Sequence, residues 1–226
     1  IPLAVIIFSL FNYKGERLKS RNYIVSSIIT ALPLLLLFGV WKNISPVSGI
    51  EKWIVPNSAF YNLDYINTYI TFSVIYVFPL VVLFFKKIKF SYTTLFISFA
   101  LTIILFLFPV KPSMATLTFT DYKTVGFVHQ AFVEFLGNES LWLKIILAFL
   151  LFVGCYINTE LLKNIYQDIK SKSIDKKLIF ILLWLLFLLI MPFSYQVWEK
   201  YLTMVLPFLT LGIYLFLLPV KGELNN

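Results

Sequence analysis

Long apolar runs separated by short charged segments are the feature that most constrains this chain. A helix needs about 20 mainly apolar residues to cross a hydrocarbon core of roughly 30 Å. Within a bilayer, a helix also satisfies its own backbone hydrogen bonds. Charged residues make up only 13% of the chain, against roughly 25% in a typical soluble domain. The pattern predicts an all-α, polytopic transmembrane helix bundle with six full spans. These are expected at about 22–41, 67–85, 92–110, 141–158, 178–195 and 201–220.

The first apolar run, Ile1 to Phe11, is shorter than the others. Eleven helical residues reach only about half-way across a bilayer. No basic region precedes the run, as it would in a signal peptide. We therefore expect a truncated first helix, with residues 1–226 forming a single transmembrane bundle that is the C-terminal fragment of a longer chain.

Basic residues predict the orientation of the bundle. The segments 12–21, 86–91, 159–177 and the tail from 221 hold thirteen of the nineteen basic residues and five of the eleven acidic ones. The segments on the other side are balanced, so the formal charge of +8 belongs to the first set. Cytoplasmic loops carry such an excess of Lys and Arg. The sequence predicts a multi-pass protein of a bacterial plasma membrane, with 12–21, 86–91 and 159–177 in the cytoplasm. Because the positive charge is divided among short loops, no nucleic-acid partner is expected.

A further helix is predicted in the external segment 111–140. The residues from Val125 to Leu136 follow a helical pattern, and Gly137 is placed to end the helix. An interfacial helix lying along the outer surface is expected. Its apolar face is predicted to consist of Val128, Phe132, Phe135 and Leu136.

A weaker apolar stripe occurs in the cytoplasmic segment 159–177. Leu161, Ile165 and Ile169 recur at helical spacing. The stripe predicts that the preceding helix continues past the membrane.

Residues able to carry chemistry are concentrated at the predicted outer rim. The chain has one His and one Cys, so a structural zinc site is excluded, and no ionisable residue lies near the centre of a predicted span. Ion-coupled transporters normally keep such groups at mid-membrane, so a secondary transporter is disfavoured. Lys suits a phosphate and aromatic rings can stack on a sugar, although both also populate membrane rims without any further role. The candidates are Asp121, Lys123, His129, Trp198, Glu199, Lys200 and Tyr201.

The segment from Tyr195 to Leu211 resembles the GT-C integral membrane glycosyltransferases. Lys200-Tyr201, followed by Leu206-Pro207, stands where many of these enzymes have a basic residue, a Tyr and then a Leu-Pro segment at the start of a late helix. The similarity covers 17 of the 226 residues, and Lys200 stands where Arg is commoner. The resemblance implies transfer of a sugar, a hexose or pentose, from a polyprenyl-phosphate carrier to an external acceptor. It further implies that Lys200 contacts the donor phosphate, and that the catalytic acidic residue lies upstream of Ile1.

Other functions remain open at this point. A polymerase, ligase or flippase for lipid-linked glycans would share the rim site and the helical layout. A non-catalytic membrane subunit would need only the bundle. The expected partners are membrane lipids and a polyprenyl-phosphate-linked sugar. No metal site and no cofactor are predicted, and a divalent ion is left open.

Overall fold

The computed structural model describes residues 2–11, 17–41, 61–84, 91–112, 124–170, 178–194 and 197–217. Within these ranges the secondary structure is helical and contains no strand, which confirms the all-α fold class. The helices are α1 (Pro2–Phe11), α2 (Arg17–Trp41), α3 (Leu63–Phe84), α4 (Tyr92–Phe106), α5 (Phe127–Leu136), α6 (Leu141–Lys170), α7 (Leu178–Ile190) and α8 (Leu202–Leu217), with 3-10 turns at Met191–Phe193 and Glu199–Tyr201.

Each predicted span coincides with a helix, but the helices differ in length. Within the described ranges, α3 and α6 are long and apolar enough to cross a membrane. The apolar helices α4, α5 and α7 are shorter than that. The full set of six spans therefore stays a prediction.

Helix α6 confirms the prediction, made from the apolar stripe in 159–177, that the preceding helix continues into this segment. It runs without interruption from Leu141 to Lys170. Leu161 and Ile165 are buried, and Ile169 packs against the core. At about 1.5 Å per residue, its 30 residues extend roughly 45 Å, which is longer than a hydrocarbon core.

Helix α3 lies at the centre of the bundle. It packs against α6 on one side and α8 on the other, while α4 packs against α6, and α7 against α8. Helix α1 contacts both α2 and α7. The rings of Tyr69 in α3 and Phe187 in α7 meet edge to face, with centroids 4.8 Å apart. Trp184 and Leu202 are fully buried beside them in the core, so α3, α7 and α8 share one packed interior.

Helix α4 buries polar side chains and exposes apolar ones, which is the reverse of the pattern of a surface helix in a soluble protein. Its buried face carries Thr94, Ser98 and Thr102. The hydroxyls of Ser98 and Thr102 each donate to a backbone carbonyl one turn earlier, at 2.7 Å. The opposite face exposes large apolar side chains such as Phe96 and Phe99. Small residues between helices and apolar residues outside are typical of helices that face hydrocarbon.

Gly154 allows α6 to approach α3 closely. A Cβ at this position would lie 2.5 Å from Cγ2 of Ile70 and 2.8 Å from its backbone oxygen. The backbone oxygen cannot move away without shifting α3. Only glycine fits this crossing without separating the two helices.

Replacement of Gly154 by Leu should therefore destabilise the bundle. Overpacking of this kind costs about 1–3 kcal/mol, because the backbones must separate. The check is the thermal unfolding temperature of the detergent-solubilised protein. Phe149→Leu, at a site on the same helix that is 64% exposed, is the control and should melt like wild type. Equal melting of the two variants would show that the close approach does not matter.

Helix α5 lies within the segment predicted for it. It begins at Phe127 and ends before Gly137, whose φ of 86° is the left-handed conformation that glycine favours. Val128 and Phe132, on the predicted apolar face, pack against the core. Phe135, on the same face, is 88% exposed. Helix α5 thus meets the bundle through its first turns, and its last turn projects beyond the core.

Candidate functional site

Glu199 is buried at the junction of three helices. It lies in the 3-10 turn before α8 and is 3% exposed. The backbone N–H groups of Val128 and His129 donate to its Oε2 and Oε1 at 3.0 and 2.8 Å. The hydroxyl of Tyr76 in α3 donates to Oε2 at 3.4 Å. We call these four residues and Gly126 the Glu199 junction.

The carboxylate of Glu199 serves as a cap for α5. The first N–H groups of a helix have no intrahelical partner, and Gly126 has no side chain to supply one. Glu199 supplies two acceptor oxygens from a position about 70 residues further along the chain. The positive end of the α5 dipole favours its negative charge. In return, the backbone N–H of Glu199 donates to the carbonyl of Val125 at 2.9 Å.

Gly126 provides the space for this contact. A Cβ at Gly126 would lie 2.6–2.8 Å from Cβ, Cδ and Cγ of Glu199. Real Cβ atoms do not approach so closely, so any larger residue would push the two segments apart. The sequence analysis missed Gly126 and Tyr76. A glycine directly before an apolar helix was the one available signal for the first, and nothing in the sequence marked the second.

His129 belongs to the same junction but does not supply a positive charge. Its ring is buried and lies 5.8 Å from the ring of Phe72. Its Nδ1 accepts a hydrogen bond from the backbone N–H of Val125 at 3.2 Å, which places the proton of the neutral ring on Nε2. Burial lowers the pKa of His129 to about 4. The imidazole is therefore neutral at neutral pH and is unsuited to holding a phosphate by charge.

The protein should lose stability as the pH falls from 6.5 towards 4. The pKa of His129 is lower in the folded protein, about 4, than its ordinary value of 6.5. The unfolded chain therefore binds the proton first, and folding loses up to about 3 kcal/mol across this window. The measurement is the unfolding temperature in detergent between pH 7 and pH 5. His129→Gln keeps an acceptor for Val125 and should flatten this dependence. An unchanged slope in that variant would rule out His129 as its cause.

The Glu199 junction includes side chains from the middle turns of α3. Tyr76 follows Leu63, the first residue of α3, by thirteen positions, which is about 20 Å along the helix axis. Phe72 follows it by nine positions, or about 14 Å. At the start of α3, Asp64 meets Lys111 at 3.9 Å. Glu199 and the first turn of α5 thus contact side chains that come from the middle turns of α3.

Lys200 faces away from the junction. Its side chain is exposed, and its Nζ lies 3.6 Å from the ring centroid of Trp198 and 5.5 Å from that of Tyr201. These distances are typical of cation–π contacts. No carboxylate of the described segments pairs with Lys200. The exposed Lys200, together with the partly buried Trp198 and Tyr201, forms a cationic patch, which we call the Lys200 site.

The structure separates the predicted candidates into two groups. Trp198, Lys200 and Tyr201 come together, whereas Glu199 and His129 point into the Glu199 junction. Asp121 and Lys123 lie outside the described residues. In the ranges that are described, no three His, Cys, Asp or Glu side chains are grouped as metal ligands would be.

Comparison with known proteins gave no matching family model, no matching curated protein and no matching solved structure. The resemblance to the GT-C glycosyltransferases therefore stays a prediction.

Proposed function

We propose that this chain is part of a membrane glycosyltransferase that transfers a sugar from a polyprenyl-phosphate carrier, with the donor phosphate bound by Lys200. The observation that carries the proposal is the Lys200 site. An exposed ammonium group without a carboxylate partner among the described residues lies 3.6 Å from the ring centroid of Trp198 and 5.5 Å from that of Tyr201. A charge-assisted bond to phosphate is the interaction that such a group makes best.

The aromatic rings strengthen this arrangement. A lysine over the face of a tryptophan loses part of its water shell while keeping its charge. An anion that approaches the exposed side of Lys200 then meets a cation held in place rather than a freely rotating one. Lys200 covers one face of Trp198, and we propose that the sugar or the prenyl chain of the donor lies next to the Lys200 site.

The proposal includes a multi-pass arrangement in a bacterial plasma membrane, with 12–21, 86–91 and 159–177 in the cytoplasm. The lengths of α3 and α6 and the outward apolar face of α4 support it. In this orientation, α8 begins on the external side, and we propose that the donor phosphate reaches the Lys200 site from that side.

The test is sugar transfer by the full-length protein in proteoliposomes. Polyprenyl-phosphate hexoses and pentoses are supplied as donors, a glycan and lipid extract of the host membrane is supplied as the source of acceptors, and release of polyprenyl phosphate with transfer of the sugar to an acceptor is followed over time. We expect release with at least one donor, and a strong loss of release in Lys200→Met. Binding of donors without release from any of them would contradict a transferase.

One observation favours a second candidate, a flippase or a non-catalytic subunit that binds lipid-linked sugars. Both oxygens of Glu199, the carboxylate nearest in sequence to Lys200, are occupied by backbone N–H groups. Glu199 is therefore not available as a general base. A binding protein would show donor affinity dependent on Lys200 but no release of polyprenyl phosphate.

A further inference from the structure

We propose that Glu199 is a positioning residue: by capping α5 it fixes the turn that presents Lys200, and so sets the affinity of the Lys200 site for a phosphorylated polyprenyl lipid. The inference rests on the proposed function of Lys200. It assigns to Glu199 a role other than contact with substrate.

The backbone around Lys200 is held from both sides. Glu199 is fixed by its side chain to α5 and by its N–H to Val125. On the other side, the hydroxyl of Thr203 donates to the carbonyl of Lys200 at 2.6 Å. The N–H of Tyr201 donates to the carbonyl of Trp198 at 3.1 Å, which closes the turn. The position of Lys200 over Trp198 thus depends on where Glu199 is anchored.

The burial of Glu199 argues against direct contact with a ligand. The residue is 3% exposed, and its oxygens accept three hydrogen bonds within the protein. A ligand would have to displace α5 to reach it. Its influence on binding must therefore pass through the position of its neighbours.

Two substitutions disturb the junction from opposite sides. Glu199→Gln replaces one acceptor oxygen by an NH₂ group, so one buried N–H of α5 then faces another donor. Gly126→Ala leaves Glu199 intact but places a Cβ within 2.6 Å of its side chain.

Two further variants serve for comparison. Glu199→Asp keeps the charge and should retain part of the cap. Glu134→Gln is the control, because Glu134 is exposed on the same helix and accepts a hydrogen bond only from the side chain of Gln130 among the described residues.

The experiment uses the full-length protein in phosphatidylcholine nanodiscs and has two readouts. The first is backbone hydrogen exchange of residues 124–136 without any added lipid ligand. The second is the Kd for a polyprenyl monophosphate, with nanodiscs containing phosphatidic acid as a second source of lipid phosphate. Glu199→Gln and Gly126→Ala should each speed exchange and weaken polyprenyl phosphate binding by about tenfold. Their combination should be no worse than the stronger single change, because both break the same contact.

The outcomes separate the inference from the proposed function. Lys200→Met should weaken binding while leaving the exchange of 124–136 unchanged. Faster exchange with normal binding in Glu199→Gln and Gly126→Ala, while Lys200→Met binds poorly, would overturn the positioning role alone. Normal binding in all three variants would overturn the proposed function and with it the inference. If each variant lost affinity for phosphatidic acid as much as for polyprenyl phosphate, the site would bind a lipid phosphate of any kind. That result would overturn the polyprenyl assignment.

Discussion

A cysteine at position 139 should react with a membrane-impermeant thiol reagent in intact cells, whereas one at position 170 should react only after the membrane is permeabilised. Both positions are exposed, Glu139 two residues before the start of α6 and Lys170 at its last residue. The excess of basic residues predicts that Lys170 lies in the cytoplasm and Glu139 outside. The native Cys155 is buried and can be replaced by alanine to remove background.

This labelling experiment has an all-or-none result. The 30 residues of α6 are enough to cross a hydrocarbon core. If the helix crosses the membrane, its two ends lie on opposite sides. Equal labelling in intact cells would show that α6 does not cross. Labelling of position 170 alone would show that the orientation is reversed and that the Lys200 site opens to the cytoplasm.

Replacement of Lys200 by Met should lower sugar transfer at limiting donor by about ten- to a hundredfold. A charge-assisted bond to phosphate contributes roughly 1.5–3 kcal/mol when partly shielded from water. Met keeps the length and apolar stem of Lys but removes the charge. Lys200→Arg should retain much of the activity, because guanidinium also binds phosphate.

Lys144→Met is the matched control for this substitution. Lys144 is also exposed and lies in the first turns of α6, on the side predicted to be external. Its loss removes one positive charge from the same surface without touching the Lys200 site. If both Met variants lost activity equally, the effect would come from general surface charge and not from a phosphate contact at Lys200.

The helices could be predicted from the sequence because each depends on residues adjacent in the chain. The stripe of Leu161 and Ile165 predicted the extension of α6, and Gly137 predicted the end of α5. These are local properties, fixed by helical spacing and by the conformational freedom of one glycine. They do not depend on which helices become neighbours.

The role of Glu199 could not be predicted in the same way. The sequence showed a charged pair in a tight connection and suggested that both members face the rim. The partners of Glu199 are backbone N–H groups of α5, which carry no side-chain signature. The neighbouring Lys200 points the opposite way because the 3-10 turn directs successive side chains to different sides. Helical spacing also does not show where a helix leaves the core, as α5 does before the exposed Phe135.

The central claim is tested most directly by equilibrium binding of a polyprenyl monophosphate to the full-length protein in nanodiscs. Wild type and Lys200→Arg should bind with similar Kd, and Lys200→Met should bind about ten- to a hundredfold more weakly. Wild type and both variants should melt at the same temperature, because the Lys200 side chain is exposed. An unchanged Kd in Lys200→Met would contradict a phosphate site at Lys200.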